Sequence, residues 1–306
     1  MRRSSRKTPE RVANSTWTPP AGAPGTAPAM MPLRILAAIL LCLLLPGSAP
    51  AAPAARIISL APNLTEVIYD LGMGAQVVAV SSYCDYPPAV KAKPKIGGMS
   101  NPSLESIVAM KPDVVVLTDD GNPREIEERL RGLGIRTHVF RAKRLEDLPR
   151  EIRVLGSALN AEAQAERSAR RIERAVRRYR QTSGPAPARR VLVVVQPEPL
   201  MVAGSGTAMH DVLTLLGLRN VAADAHGGYP RYSLEEVIRQ APDVIFIGRG
   251  HDDLRAQSRR LLKRLHSLEA VRRGRVYYIG DALFRMGPRI TAGIAEIAGH
   301  VRTMPP

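Results

Sequence analysis

The chain has 306 residues, of which 45% are hydrophobic, and carries a formal net charge of +16. Its length suits two modest domains or one large one, and its apolar content argues against a wholly disordered protein. The positive charge alone would suggest nucleic-acid binding. However, most basic residues share one predicted helix with acidic residues, and no aromatic residues are interleaved with them, so a solvated basic surface and no nucleic-acid partner are predicted.

The first 54 residues are predicted to be an N-terminal extension and signal peptide. An eleven-residue apolar run at 35–45 follows an arginine and precedes small residues, which is the layout of a secretory signal. A run of this length is too short for a membrane-spanning helix, which needs about 20 residues. Cleavage is expected after Ala54, and the start codon is left open between Met1, Met30 and Met31.

Residues 55–146 are predicted to form an N-terminal α/β lobe, in which short apolar runs alternate with helical patterns. The predicted strands are RIISLAP, QVVAVS, DVVVLTDD and IRTHVF, and the predicted helices are NLTEVIYDLG, SLESIVAMKP and PREIEERLRGLG. Asn63 is expected to cap the first helix and Gly72 to end it. Strands that alternate with helices at this spacing indicate βαβ units and a parallel sheet.

Residues 147–184 are predicted to be one long helix that joins two lobes. Apolar residues recur at steps of three and four through this segment, and no strand signal interrupts them. Such a pattern is typical of an amphipathic helix. At 1.5 Å per residue the helix would be roughly 50 Å long, more than the diameter of one small domain.

Residues 185–306 are predicted to form a C-terminal α/β lobe of the same kind. The predicted strands are VLVVVQ, DVIFIG and RVYYIG, and the predicted helices are AMHDVLTLLG, SLEEVIRQAP, AQSRRLLKRLHSLEAV and a last one at about 288–301. The fold class predicted for the whole body is therefore α/β, with two Rossmann-like lobes built on parallel sheets and joined by one long α-helix.

One unit of sequence occurs in both lobes. SLESIVAMKPDVVVL at 103–117 and SLEEVIRQAPDVIFI at 233–247 are identical at six of fifteen positions. Ser103 and Ser233 are predicted N-caps. Glu105 and Glu235 then fall in the first turn, where a carboxylate complements the helix dipole by about 0.3–1 kcal/mol. That role explains each glutamate alone, whereas their matched positions in two lobes suggest a bivalent docking pattern.

Several segments together resemble a known family. RIISLAPNLTEVIYDLG, SSYCDYPP, KIGGMSNPSLESIVAMKPDVVVL and RMGPRI occur in the order found in the substrate-binding proteins of importers for metal chelates and cobalamin. The similarity extends over about residues 56–300. YCDYPP and the GGMSNPSLE loop are most similar to the cobalamin-binding branch.

The resemblance implies a periplasmic monomer that binds its ligand between the lobes and carries no cofactor of its own. Tyr83, Asp281 and Arg285 match positions that contact the corrinoid in that branch, and Tyr86, Met99 and Tyr229 complete the predicted ligand-binding set. Positions that are Trp or Phe in cobalamin binders are matched here by Met99, Thr118, Ala282, Leu283 and Tyr229.

The resemblance also implies a protein partner. Glu105 and Glu235 would dock onto arginines of the membrane permease of an ABC importer, one glutamate per lobe.

Other functions remain open from the residues. A ferric siderophore or haem would fit the same frame as cobalamin. A free-metal site is disfavoured because the histidines show no paired spacing, and His210 is the one candidate ligand. No hydrolase motif occurs, so the enzyme alternative depends on Cys84, the one cysteine left after cleavage, which also excludes an internal disulfide.

Overall fold

The computed structural model describes residues 56–182, 189–249 and 252–304. The predicted extension and signal peptide at 1–54 lie outside the described residues. Within the described ranges, no helix combines the length and the apolar character that crossing a bilayer requires.

The N-terminal lobe is built on a four-stranded sheet whose strands are all parallel. The sheet has the order β2-β1-β3-β4, as expected for βαβ units. Its strands are β1 (Ile57–Ser59), β2 (Val77–Val80), β3 (Val114–Thr118) and β4 (Arg136–Phe140). Its helices are α1 (Pro62–Asp70), α2 (Leu104–Ala109) and α3 (Arg124–Gly132). Asn63 does not cap α1, because the helix already begins at Pro62.

The C-terminal lobe repeats this plan with additions. Strands β5, β8 and β9 run parallel in that order, β7 pairs with β5 in parallel, and β6 pairs with β5 antiparallel, so the sheet is not wholly parallel. The strands are β5 (Arg190–Pro197), β6 (Leu200–Val202), β7 (Arg219–Asn220), β8 (Val244–Gly248) and β9 (Val276–Ile279). The helices are α6 (Ala208–Leu215), α7 (Leu234–Gln240), α8 (Asp252–Arg264), α9 (Glu269–Arg272) and α10 (Ile290–Thr303).

The connection between the lobes differs from the prediction of one long helix. Two helices occupy this segment, α4 (Leu148–Ala158) and α5 (Glu162–Thr182). Asn160 adopts a left-handed conformation with φ of 56°, and the Ala161 amide donates to the Gly156 carbonyl, which ends α4. The chain then folds back, and this brings Arg153 of α4 into an ion pair with Glu166 of α5.

The interlobe helix proper is therefore α5, at roughly 30 Å for its 21 residues. The fold class is nevertheless confirmed as α/β with two lobes. The three domain boundaries stay predictions.

The sequence repeat is confirmed in structural detail. The hydroxyls of Ser103 and Ser233 accept from the amides three residues later, each at 3.1 Å, as N-caps do. After each helix, an aspartate accepts a hydrogen bond from a backbone amide at the start of the first strand of its lobe. The Arg56 amide donates to Asp113, and the Arg190 amide donates to Asp243. The two lobes therefore share backbone geometry as well as sequence.

The hydrophobic core is continuous between the lobes. One cluster contains Val67 and Ile68 of α1, Ile172 of α5, and Val212 and Leu213 of α6. Helix α10 contributes to the same cluster. Each sheet has one smaller cluster on its opposite face. Because the interlobe region is packed as an interior, a large relative motion of the lobes would expose apolar surface.

Candidate functional site

A cleft with a volume of about 630 Å³ opens between the lobes. Its wall is built from segments that follow the carboxyl ends of strands, namely those after β3, β4, β8 and β9. This is where ligands bind in open α/β sheets. The amino-terminal ends of α1 and α6 contribute Asn63 and Thr207 from opposite lobes.

Four of the six predicted ligand-binding residues lie in this cleft: Met99, Tyr229, Asp281 and Arg285. Met99 comes from the N-terminal lobe and the other three from the C-terminal lobe. The residues predicted from the sequence therefore lie on both walls of the cleft. Their contact with a ligand stays a prediction.

The other two predicted residues, Tyr83 and Tyr86, lie outside the cleft lining. Tyr83 is 63% exposed and is the most open large apolar side chain in the described part of the chain. The Tyr86 ring lies 4.1 Å from the Arg289 guanidinium, in a cation–π contact. Tyr86 therefore has a structural partner already, and its role in ligand binding stays a prediction.

Sequence reasoning missed an aromatic side chain of the cleft. Phe284 lines the wall and lies directly over Gly248, where a Cβ atom would approach the ring to 3.0 Å. In contrast, Ala282 and Leu283 are buried, and Leu283 packs on Gly293 of α10. In the turn after β9, the aromatic residue that lines the cleft is therefore Phe284, one position beyond the predicted Ala282 and Leu283.

Polar residues of the cleft were also missed. They are Asn63, Asp120, Lys143 and Arg249. Lys143 pairs with Asp119 at 3.2 Å, and Arg249 pairs with Glu296 at 3.2 Å. A usable signal was that each of them lies at the end of a predicted strand or within a few residues after it.

An ionic network joins the lobes at one edge of the cleft. Glu66 of α1, whose side chain is 1% exposed, accepts from Arg285 at 2.9 Å and from Arg289 at 2.6 Å. Arg285 also pairs with Asp85 at 2.7 Å, and Arg289 pairs with Asp281 at 3.0 Å. The carboxylates neutralise two arginines that would otherwise be poorly solvated.

These contacts favour the charged forms of Asp85 and Asp281. The hydrogen bond from Arg285 lowers the pKa of Asp85, and the hydrogen bond from Arg289 lowers the pKa of Asp281. Hydrogen bonds to Glu66 likewise raise the pKa of Arg289.

In a second interlobe contact, the C-terminal lobe supplies the acid and the N-terminal lobe supplies the arginine. Asp211 of α6 occupies the position that Glu66 has in the repeat, and it is buried. It accepts from Arg144 of the N-terminal lobe at 2.8 Å and from the Leu145 amide at 2.7 Å. Each lobe thus offers a buried acid on its first helix to an arginine that follows the last strand of the other lobe.

Tyr229 faces Asp120 across the cleft. Desolvation within the cleft, and then the charge of Asp120, raise the pKa of Tyr229. The shift favours the protonated phenol, which can donate a hydrogen bond.

The predicted docking residues Glu105 and Glu235 are exposed at the starts of α2 and α7. Hydrogen bonds from its own backbone amide and from the Ser233 hydroxyl lower the pKa of Glu235. Both carboxylates therefore stand at the surface of their lobes.

Cys84 and the histidines do not form a reactive centre in the described residues. The Cys84 thiol is 2% exposed, and its Sγ lies 3.1 Å from the Thr65 hydroxyl and 3.3 Å from the Ser81 hydroxyl. A buried thiol of this kind is out of reach of a substrate. Throughout 56–182, 189–249 and 252–304, no group of three or more His, Cys, Asp or Glu side chains is arranged to hold a metal ion.

Comparison with known proteins decides the family. Residues 57–283 match the family described as Periplasmic binding protein. The chain belongs to this family. The resemblance found in the sequence is thereby confirmed, and members of the periplasmic binding protein family are solute-binding proteins, not enzymes. They carry a ligand as cargo and no cofactor. The Cys84 hydrolase alternative is therefore wrong.

Proteins similar to this periplasmic binding protein include some named for vitamin B12 and some named for haem. The vitamin B12-binding protein of Pectobacterium carotovorum subsp. carotovorum (strain PC1) is 34% identical over 65% of this chain and 73% of that protein. The structure of the vitamin B12-binding protein BtuF of Vibrio cholerae is similar with a TM-score of 0.73 and 27% identity, over 82% of this chain and 97% of that one. The haem-binding protein RhuT from Roseiflexus sp. RS-1 gives a TM-score of 0.74 and 28% identity, over 81% and 97%.

Proposed function

We propose that this protein captures cobalamin, or a related corrinoid, in the interlobe cleft and delivers it to an ABC importer. The observation that carries the proposal is the lining of the cleft. Flat or adaptable apolar side chains, Met99, Phe284 and Met286, share the wall with both hydrogen-bond donors and acceptors. Methionine and phenylalanine cover the face of a macrocycle, while polar groups meet its edge.

The edge of the ligand distinguishes a corrinoid from haem. A corrinoid is fringed with amides, which donate and accept hydrogen bonds, whereas haem carries carboxylates, which only accept. The cleft offers Asp120 and Asp281 as acceptors beside Lys143 and Arg249 as donors. Amides can use both kinds of partner, whereas carboxylates could use only the donors.

The metal of the ligand supports the same choice. Haem iron is commonly held by a protein side chain such as His, Cys or Tyr, whereas cobalamin brings its own axial ligands. No His or Cys lines the cleft in the described part of the chain, and Tyr229 is the one phenol of its wall. The similarity to RhuT keeps haem as the second candidate.

Calorimetric titration of the purified protein tests the ligand. Cyanocobalamin is expected to bind at least about tenfold more tightly than haemin or ferrichrome, a difference of about 1.4 kcal/mol. Tighter binding of haemin would select the second candidate. Absence of binding by all three chelates would rule out the proposed function.

Delivery requires docking, which we assign to Glu105 and Glu235, one on each lobe. Replacing both by alanine is expected to leave cyanocobalamin affinity unchanged and to abolish uptake by cells. The matched control replaces Glu125 and Glu162, which are exposed acids in the first turns of α3 and α5. Both double variants lose the same helix-dipole contribution, about 0.3–1 kcal/mol per site, so equal uptake in the two would reject docking.

Export to the periplasm completes the proposal, and cleavage after Ala54 is its signature. Mass spectrometry of the protein released by osmotic shock is expected to give a chain that begins at residue 55. An uncleaved chain in the cytoplasmic fraction would contradict export.

A further inference from the structure

Two exposed aliphatic side chains occupy equivalent places in the two lobes. In the described part of the chain, seven large apolar residues are substantially exposed, among them Val108 at 40% and Ile238 at 46%. The offset between these two residues is the offset between Glu105 and Glu235. An unfavourable exposure that occurs twice at one repeat position calls for a common cause.

Helix geometry places each aliphatic residue beside its glutamate. Val108 follows Glu105 by three positions in α2, and Ile238 follows Glu235 by three positions in α7. Residues three apart lie on the same face of a helix. The opposite face is anchored in the lobe by Ile107 in α2 and by Val237 in α7, both fully buried. Each lobe therefore presents a carboxylate and a branched aliphatic group together, facing outward.

Folding of the lobes does not account for Val108 and Ile238. β-Branched residues are poorer helix formers than most, and an exposed side chain gains little from burial. The neighbouring exposed position differs between the repeats, with Ala109 in one and Arg239 in the other. The pair of glutamate and aliphatic residue is kept in both copies while its surroundings change.

We propose that Val108 and Ile238 are the apolar half of two matching docking patches, each completed by its glutamate. Their partner is the permease on which the proposed function rests. Each half of that partner would offer a cation beside an apolar depression. A small aliphatic anchor excludes water from the adjoining ion pair and so strengthens it. An anionic membrane surface fits poorly, because it would repel both carboxylates.

Photo-crosslinking tests the contact without any ligand. A benzophenone amino acid replaces Val108 or Ile238 in the full chain expressed in the source organism, and Val154 on α4 in the control, since Val154 is 47% exposed. Crosslinks from 108 and 238 to one and the same polytopic membrane protein, several-fold stronger than from 154, are expected. Equal crosslinking from 154, or products with soluble proteins only, would overturn the proposal.

A milder double variant measures the contribution to delivery. Val108→Thr with Ile238→Thr keeps β-branched side chains and adds a hydroxyl to each. We expect at least about fivefold slower uptake of radiolabelled cyanocobalamin, as for loss of an interface anchor. Calorimetric affinity for cyanocobalamin should stay within about twofold of wild type, as expected for surface changes remote from the cleft. Val154→Thr with Leu133→Thr is the control, and Leu133 is 57% exposed.

The outcomes separate this inference from the proposed function. Normal uptake by the threonine double variant, with uptake abolished by the glutamate double variant, would overturn the role of Val108 and Ile238 and leave cargo delivery intact. A wild-type protein that binds none of the chelates would reject the proposed function. The crosslinks would then still decide the docking surface, since they need no ligand.

Discussion

Glu66 is the residue on which the charges of the lobe interface converge. Its carboxylate is buried, and it accepts hydrogen bonds from Arg285 and Arg289, which come from the other end of the chain. A buried carboxylate is stable only when it is paired in this way. At the residue scale, the lobes are joined by complementary side chains, and the repeat supplies Asp211 as the counterpart of Glu66.

Glu66→Gln is expected to destabilise the protein strongly. The amide keeps the size of the side chain but leaves two partly buried guanidinium groups with less compensating charge. Breaking a buried ion pair costs about 3–5 kcal/mol. Urea denaturation should show this fall in the free energy of unfolding, whereas Glu128→Gln should change it by less than about 1 kcal/mol, because its pair with Arg124 is exposed. Similar effects of the two substitutions would contradict the assigned role.

The same network predicts a dependence on acidic pH. Arg285 and Arg289 lower the pKa of Asp85 and Asp281, respectively, in the folded protein. A lowered pKa means stabilisation that is present above the unfolded value of about 3.9 and is lost as the pH falls through the folded value. We expect the free energy of unfolding to decrease from about pH 5 to pH 3. Asp281→Asn should make this decrease shallower, because it removes one of the two titrating groups. An unchanged slope would contradict the contribution of Asp281 to the pH dependence.

At the element scale, the turn between α4 and α5 is the largest departure from the sequence prediction. The apolar period is continuous across 148–182, so periodicity alone could not locate the break. Gly156 and Asn160 carried the signal, because glycine permits close helix contact and asparagine tolerates the left-handed conformation. A Cβ atom on Gly156 would collide with the Cβ atom of Ala165 in α5.

Gly156→Ala is therefore expected to destabilise the α4–α5 contact. The added methyl group would overpack two helices that already touch, at about 1–3 kcal/mol. Gly132→Ala is the matched control, because nothing lies within 4 Å of the place that its methyl group would take. That substitution should be neutral or stabilising by about 0.4–1 kcal/mol. Thermal unfolding of both variants distinguishes the two sites, and equal melting temperatures would refute the close contact.

At the scale of the whole molecule, three features restrain the lobes: the shared hydrophobic core, the Glu66 network and the Asp211–Arg144 pair. The single long helix predicted from the sequence would by itself have allowed only a small hinge motion. The helix is shorter than predicted, and the restraint instead comes from packing and charge on both sides of the interface. Each restraint would have to break for a wide opening of the cleft.

Small-angle scattering tests the rigidity of the two lobes. The radius of gyration is expected to change by less than about 1 Å when cyanocobalamin is added, as for preorganised binding sites. Glu66→Gln combined with Asp211→Asn should enlarge this change by removing both ionic contacts. A large closure of the wild-type protein would contradict a preformed cleft.

The sequence by itself determined most of the elements and their duplication, because caps, strand runs and the helical period are local signals. Ser103, Ser233 and the strands that follow were predictable for that reason. Tertiary structure alone decided which side chains meet: Glu66 is 219 residues from Arg285, and no local pattern encodes that contact. The same holds for Phe284, whose direction depends on a turn packed against Gly248. The two lobes could therefore be predicted from the sequence, whereas the cleft between them forms only when the lobes pack together.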